Sequence, residues 1–394
     1  MVGSDAAPGN QYVYTQNYLQ GTSAYSFGES QQLYNTYYEG ALANNSVVWE
    51  RQKELDVGVD MNLLKDNKLN ITFDYFHNVR YDQLITPAAV PEVLGVGLPA
   101  VNLGRTQNQG FDGQIGYHNS IGKVQYSTTF VFSYAKNKIL YEDEPQPAYP
   151  WLAQTGHSIG QPFGYHYLGY YTATDVANIQ KYEAAHGGSN IGDKAVAVPD
   201  NGETIQPGDL KYADLNGDGI INVDDERAIG YPNLPNTTLG LNLQASYKGF
   251  SISVLFQGSF NYSFIVTGTG IEPFQSQFQP IMLQAWTPQN AATAQFPRLT
   301  QNPTTVNSPT FYPSDYWLIN AYYIRLKTLE VHYAVPSKLL PFHLSSGSIY
   351  LSCYNLFTWD NYDKYQQDPE ISTNTVGDAY INQRVVNLGV QLGF

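Results

Sequence analysis

Cysteine is almost missing: Cys353 is the only one among 394 residues. A single thiol forms no internal disulfide and no multi-cysteine metal site. Charge is scarce too, at 14 % of residues, where an average soluble domain carries about 25 %. The charge that exists is lopsided, with 34 acidic against 20 basic side chains and a formal balance of −14. This excludes a nucleic-acid binder, which needs a basic footprint to neutralise phosphates. No unbroken apolar run reaches the roughly 18 residues of a membrane-crossing helix. Met1 to Gly9 offer neither a basic n-region nor an apolar h-region, so no secretory signal is visible. What the chain has in excess is tyrosine, 33 in all. A chain this aromatic is not disordered.

Alternation is the dominant pattern. Leu55, Val57, Val59, Met61 and Leu63 are apolar, with Asp56, Gly58, Asp60 and Asn62 between them. After Lys65 to Lys68, the series Leu69, Ile71, Phe73, Tyr75 restarts it. Two alternating runs around a short polar turn predict a β-hairpin. The unit recurs at Phe111 to Tyr134 around a turn at Asn119 to Lys123, and at Leu239 to Phe256 around Lys248-Gly249. Tyr316 to Val335 and Ser348 to Thr358 form a looser pair, and Val386 to Phe394 is a last alternating run. The pattern predicts on the order of 10–12 strands and few helices.

Several runs approach the roughly 9–11 residues of a membrane-crossing strand, longer than the 5–6 of ordinary sheets. Short turns at one end alternate with long Gly-, Pro- and Asn-rich segments at the other (Tyr81 to Val101, Leu140 to Pro235, Asn261 to Ser314, Asp360 to Gln383). That wiring is expected of an outer-membrane barrel with long extracellular loops. The reading is all-β: a transmembrane antiparallel β-barrel whose tyrosines supply the interfacial girdles. The alternative is a soluble sandwich or propeller with one wet face per sheet. A repeat of fixed period, which a propeller requires, is not visible.

The segment from Asp214 to Asp225 matches a twelve-position calcium loop. Asp214, Asn216, Asp218, Asn222 and Asp225 place side-chain oxygens at positions 1, 3, 5, 9 and 12. Gly219 stands at the sharp turn, and Ile220 would offer its backbone carbonyl. Asp225 replaces the usual bidentate Glu, and the loop lies between strands, which argues for a structural Ca²⁺ over a sensing switch. The competing reading is an acidic turn that holds no metal.

Catalytic patterns are not found. The seven histidines, His77, His118, His157, His166, His186, His332 and His343, form no close metal-ligand pair. No nucleophile elbow and no phosphate loop occurs. Gly95 to Ala100 is a partial dinucleotide loop broken by a proline, and reads as a plain loop. Cys353 reads as a small apolar filler. No enzyme is expected. Trp151 and the stretch Phe163 to Tyr171 suit either sugar stacking or loop packing.

The motifs, taken in order, resemble one family. Gly208-Asp-Leu-Lys-Tyr-Ala-Asp214 with Asn216-Gly-Asp218-Gly, and then Ile229-Gly230-Tyr-Pro232 to Pro235, look like the hallmark loop of SusC/RagA-type TonB-linked outer-membrane proteins. Gly160-Gln-Pro-Phe-Gly164-Tyr, Trp286-Thr-Pro288, Phe296-Pro-Arg298, Tyr323-Ile-Arg325, Tyr354-Asn355-Leu-Phe and the terminal Phe394 are similar to the same family. The resemblance runs over residues 47–394, with the acidic loop-bearing insert at 208–232; residues 1–46 are expected to be a preceding strand and loop.

The resemblance implies closed barrels of about 22 strands around a plug, of which this chain would be the C-terminal portion. It implies import of glycans or peptides powered by a TonB complex, with a SusD-like surface lipoprotein as lid. Phe394 looks like the signal read by the barrel-assembly machinery. The plug, the TonB-contacting segment and the first barrel half are not recognised in this sequence, so the chain alone is expected not to transport. The motifs are structural signatures in the family, so no ligand-binding residue is transferred from them.

Overall fold

The computed structural model describes residues 13–27, 32–88, 96–268, 270–272, 278–302, 305–341, 344–371 and 380–394. In chain order the strands are β1 (Tyr18–Phe27), β2 (Gln32–Glu39), β3 (Arg51–Leu63), β4 (Leu69–Ile85), β5 (Val101–Ile121) and β6 (Val124–Tyr141). The short pieces β7 (Phe163–Gly164), β8 (Tyr167–Tyr170), β9 (Val198–Pro199), β10 (Leu210–Tyr212), β11 (Ile220–Ile221) and β12 (Arg227–Ala228) follow, with α1 (Ala173–Ala185) after β8. The long strands then resume with β13 (Thr237–Tyr247), β14 (Phe250–Ile265), β15 (Leu318–Ala334), β16 (Ser346–Asp360) and β17 (Val385–Gly393). No helix among the described residues is long and apolar enough to cross a membrane.

Nine long strands form one sheet, ordered β17-β16-β15-β14-β13-β6-β5-β4-β3. Their lengths run from 9 residues in β17 to 21 in β5. The order is sequential, the up-and-down wiring of a barrel wall. β1 and β2 pair only with each other, Tyr18 opposite Glu39. Nine plus two makes eleven long strands among the described residues, within the range expected from alternation.

The chain divides into two compact units: residues 1–57, 76–110 and 136–159, and residues 58–75, 111–135 and 160–394. In the first, Arg51 pairs with Asp82 and lies 4.8 Å over the Tyr81 ring. The Glu144 carboxylate accepts from the N–H groups of Gln154 and Thr155 at 2.8 and 2.9 Å and ties the loop that follows β6.

The second unit shows why alternation matters. Reading across β6, β13, β14, β15, β16 and β17, the row Tyr126, Ala245, Ile252, Val331, Leu351, Leu388 is apolar throughout. The adjacent row, Ser127, Gln244, Ser253, Glu330, Ser352, Asn387, is polar throughout. The next, Thr128, Leu243, Val254, Leu329, Cys353, Val386, is largely apolar again, and Cys353 sits there as a buried filler. Successive side chains leave a strand on opposite faces, so six strands in register make one apolar and one polar surface. The apolar surface is the lipid face, and the polar one is the inner face. Exposed Leu388, Val390 and Leu392 on the edge strand mark the lipid face plainly.

Tyrosine collects where a lipid interface needs it. Near the short turns, Tyr247, Phe250 and Tyr333 lie side by side on the lipid face, with Phe250 and Tyr333 rings 4.2 Å apart. At the other end, Tyr134, Phe260 and Tyr322 flank Thr237. Thr237 and Tyr247 are ten residues apart along β13. At about 3.3 Å per residue and a strand tilt near 40°, that spans about 25 Å, the height of an outer-membrane apolar band. The two-residue turn below is set by Lys248 at φ 47° and Gly249 at φ 89°, the left-handed pair that suits a tight hairpin.

Leu243 lies near the middle of this band. Leu243→Arg is expected to cost about 2–4 kcal/mol in vesicle-folded protein, and Gln244→Arg on the inner face much less. Denaturant titration of the two variants checks this; equal losses would sink the two-face assignment.

Candidate functional site

Described residues of the long connections after β6, β14 and β16 pack into one hydrophobic core with Trp317, Tyr171, Tyr212, Leu210, Ile221 and Val198 at its centre. The core continues onto Tyr262, Ile319 and Ala321 of β14 and β15. Short ladders β7–β12, β8–β10 and β9–β11 stitch it together. α1 starts at a capping box, with Thr172 and Asp175 each serving the other's backbone N–H. It buries only Ile179.

The scattered motifs meet here. Gly208 has φ 94°, and a Cβ on it would collide with the Trp286 ring, so only glycine fits. The neighbouring Asp209 is fully buried and takes Arg298 Nε at 2.6 Å. Asn307 Nδ2 donates to Asp209 at 2.7 Å, and the Gln206 N–H at 2.8 Å. Burial, foremost, pushes the Asp209 carboxyl up, and Arg298 pulls it back down. Trp286 N–H donates to Phe296 O at 2.9 Å, and Arg298 N–H to Gly208 O at 3.0 Å. Gln161 reaches Ile229 O at 2.7 Å, and Tyr231 N–H donates to Ser263 Oγ at 2.8 Å, which pins the hallmark loop to β14. Tyr165 and Tyr171 are buried core residues, so for them loop packing is the observed role. Trp151 stacks on Tyr149 at 4.7 Å.

The acidic loop is folded around its own backbone. Asp214 accepts from Gly217, Asp218 and Gly219 N–H groups at 2.6, 3.3 and 2.8 Å. Asp225, fully buried, accepts from Leu215 and Asn222 N–H at 2.7 and 3.0 Å. Burial is the main cause that raises its carboxyl above the usual range. Asn216 Nδ2 donates to Asp218 Oδ2 at 3.0 Å, and Asp218 Oδ1 accepts from Ile220 N–H at 2.8 Å. Gly219, at φ 84°, makes the turn. Among the described residues, no group of three or more His, Cys, Asp or Glu side chains is gathered so as to hold a metal by themselves.

Beside this loop lies a cleft of about 640 Å³ whose lining includes Tyr165, Glu203, Asn222, Asp224, Phe311 and Tyr312. Burial raises Glu203, and the Tyr312 phenol is pushed up to about 12 by burial with Asp200 and Glu203 nearby. A second cavity, about 770 Å³, lies against the inner face near the short turns, with Lys68, His118, Gln244, Ser253, Glu330 and His332 in its lining. Both offer hydrogen bonds and charge.

The buried Asp209–Arg298 pair is the keystone of the loop core. Removing one partner of such a pair leaves the other charge uncompensated, which costs about 3–5 kcal/mol. Arg298→Ala is therefore expected to expose the amides of Leu210 and Asn307 to hydrogen exchange while β13 stays protected. Unchanged exchange at those amides would contradict it.

No protein-family model matches the chain. Among curated proteins it is 29 % identical over 383 residues to TonB-dependent receptor P3 of Formosa agariphila, covering 90 % of this chain and 35 % of that protein. TonB-dependent receptor P26 of the same organism is 24 % identical over 381 residues, covering 90 % and 36 %. The chain thus spans about a third of the length of these relatives. Among solved structures, the RagAB peptide importer in its open-open state matches with a TM-score of 0.68 at 22 % identity, over 97 % of this chain and 38 % of that one. The RagAB peptide transporter structure gives 0.67 at 21 %, over 97 % and 39 %. In sequence the chain is similar to TonB-dependent receptors, and in fold it is a stretch of outer-membrane barrel wall like that of the RagAB peptide importer.

Proposed function

We propose that this wall and its loop core serve an importer of oligosaccharides or peptides. It would work under a SusD-like surface lipoprotein, and a TonB complex would drive it. The observation that carries this reading is the asymmetry of the wall. One end closes in tight turns, and the other bears a solid shelf of packed loops seated on β14 and β15. A solid shelf can seat a lid and sort a ligand. The RagAB peptide importer shares the fold, which supports peptides, whereas the aromatic and acidic cleft beside the hallmark loop would suit sugar hydroxyls as well. Deleting the coding region in the native host should abolish uptake of fluorescent oligosaccharides or of fluorescent peptides; undiminished uptake of both would refute the reading.

Phe394, almost fully exposed after the last strand, is proposed as the handle for the barrel-assembly machinery. Phe394→Ser should lower the heat-modifiable, folded fraction in outer membranes, and an unchanged fraction would count against it.

The acidic loop is proposed to take a structural Ca²⁺ through Asp214, Asn216, Asp218, Asn222, Asp225 and the Ile220 carbonyl. The oxygen spacing and the turn at Gly219 support this. Seating the ion would exchange the Asn216–Asp218 bond and part of the Asp225 bonding for metal contacts. Calorimetric Ca²⁺ titration of the whole chain should show saturable heat that Asp218→Ala removes. A wild-type chain giving no heat would end the idea.

A further inference from the structure

Two cations stand together on the inner face of β15. Arg325 belongs there by alternation, opposite Gln257 of β14 and Thr358 of β16. Lys327, two residues on, shares that face; the ladder slips there, with Phe256 opposite Leu326 and Leu255 opposite Thr328, so Lys327 is skipped and Thr328 faces inward beside it. The pairing with β16 slips at the same residue. A bulge re-aims a side chain in this way.

Arg325 is only 2 % exposed, and its cross-strand partners are neutral, Thr358 accepting from Nε at 2.9 Å. A guanidinium this buried needs an anion. The connection between β16 and β17 supplies it. Arg325 Nη2 lies 2.9 Å from Asp368 and Nη1 2.8 Å from Glu370, and Lys327 Nζ lies 2.6 Å from Glu370. Tyr262 hydroxyl donates to Pro369 O at 3.3 Å, and Asn382 Nδ2 to Glu370 at 3.1 Å. The fit is incomplete: Arg325 Nη1 and Glu370 Oε1 are buried without a hydrogen bond. The fork of an arginine reads carboxylates two bonds at a time, and here part of that capacity stays unused.

We infer that Arg325 and Lys327 form an inward-facing carboxylate subsite, which the Asp368-Pro369-Glu370 turn occupies from within the chain. A ligand bearing carboxylates binds by displacing that turn. The inference rests on the importer reading, since only a passing ligand would meet this face. Its chemistry is shared by acidic peptides and by uronic-acid glycans.

The test uses the complete chain folded in detergent, with triglutamate and trigalacturonate as probes and triglutamine as the neutral control. Relieving the internal competitor by Asp368→Asn with Glu370→Gln should tighten binding of a carboxylate probe about tenfold. Adding Arg325→Gln to that variant should remove the gain. Triglutamine should bind none of the proteins better. Tightening by triglutamate alone assigns peptides, and by trigalacturonate alone acidic glycans. Equal binding to wild type and relieved variant, or a gain that survives Arg325→Gln, overturns the inference. Variant misfolding is bypassed in the wild type: a saturating probe should speed hydrogen exchange at Glu370 and Ile371 while β13 amides hold, and a bound probe that leaves them unchanged also overturns it. Binding to purified chain is read apart from cellular uptake, so failure here leaves the importer reading to its own test.

Discussion

A backbone that crosses hydrocarbon must satisfy every N–H and C=O within the protein. That one constraint organises this chain. It forces long antiparallel strands in continuous register, and the register turns the local alternation of side chains into two chemically distinct surfaces. Rows such as Ala245, Ile252, Val331, Leu351 and Leu388 exist only because four ladders keep step. With lipid on one face, the other is free to carry Ser253, Glu330 and His332.

Above the wall a different logic takes over. The loops are held by a core of aromatic and branched side chains, and by a few buried charges that each have a partner in a distant segment. Asp209 finds Arg298, and Arg325 finds Asp368 and Glu370. Such pairs contribute modestly to net stability, because desolvation offsets much of the attraction. Their consequence is positional: a charge left alone would be costly, so the segments that carry the partners must be where they are. The wall and the loop shelf are joined in this way at β14 and β15, where Tyr262, Ser263 and Arg325 all bond to loop residues.

The strands, their faces and the tight turn at Lys248-Gly249 were legible from the amino acids, since Leu239 to Phe256 alternates, Leu255 apart, around a turn pair that favours positive φ. The family motifs were legible as motifs, yet nothing in their spacing said that Gly208, Trp286 and Arg298 would touch. α1 was missed because it buries one residue, Ile179, and so shows no apolar stripe. The acidic loop was legible as a set of oxygens; that Asp225 would turn both oxygens onto the N–H groups of Leu215 and Asn222 was not. Arg325 could have been suspected, as a charge set between Ile324 and Leu326 in a long strand, but its counter-ions lie beyond a further strand.

What the sequence by itself determined is which face of the wall each strand residue takes, because the direction of Cβ alternates with the chain and depends on nothing remote. What only the tertiary structure decided is where charges are neutralised and which loops touch. Those contacts join segments that are far apart along the chain, and they form only after the sheet has brought the strand ends together.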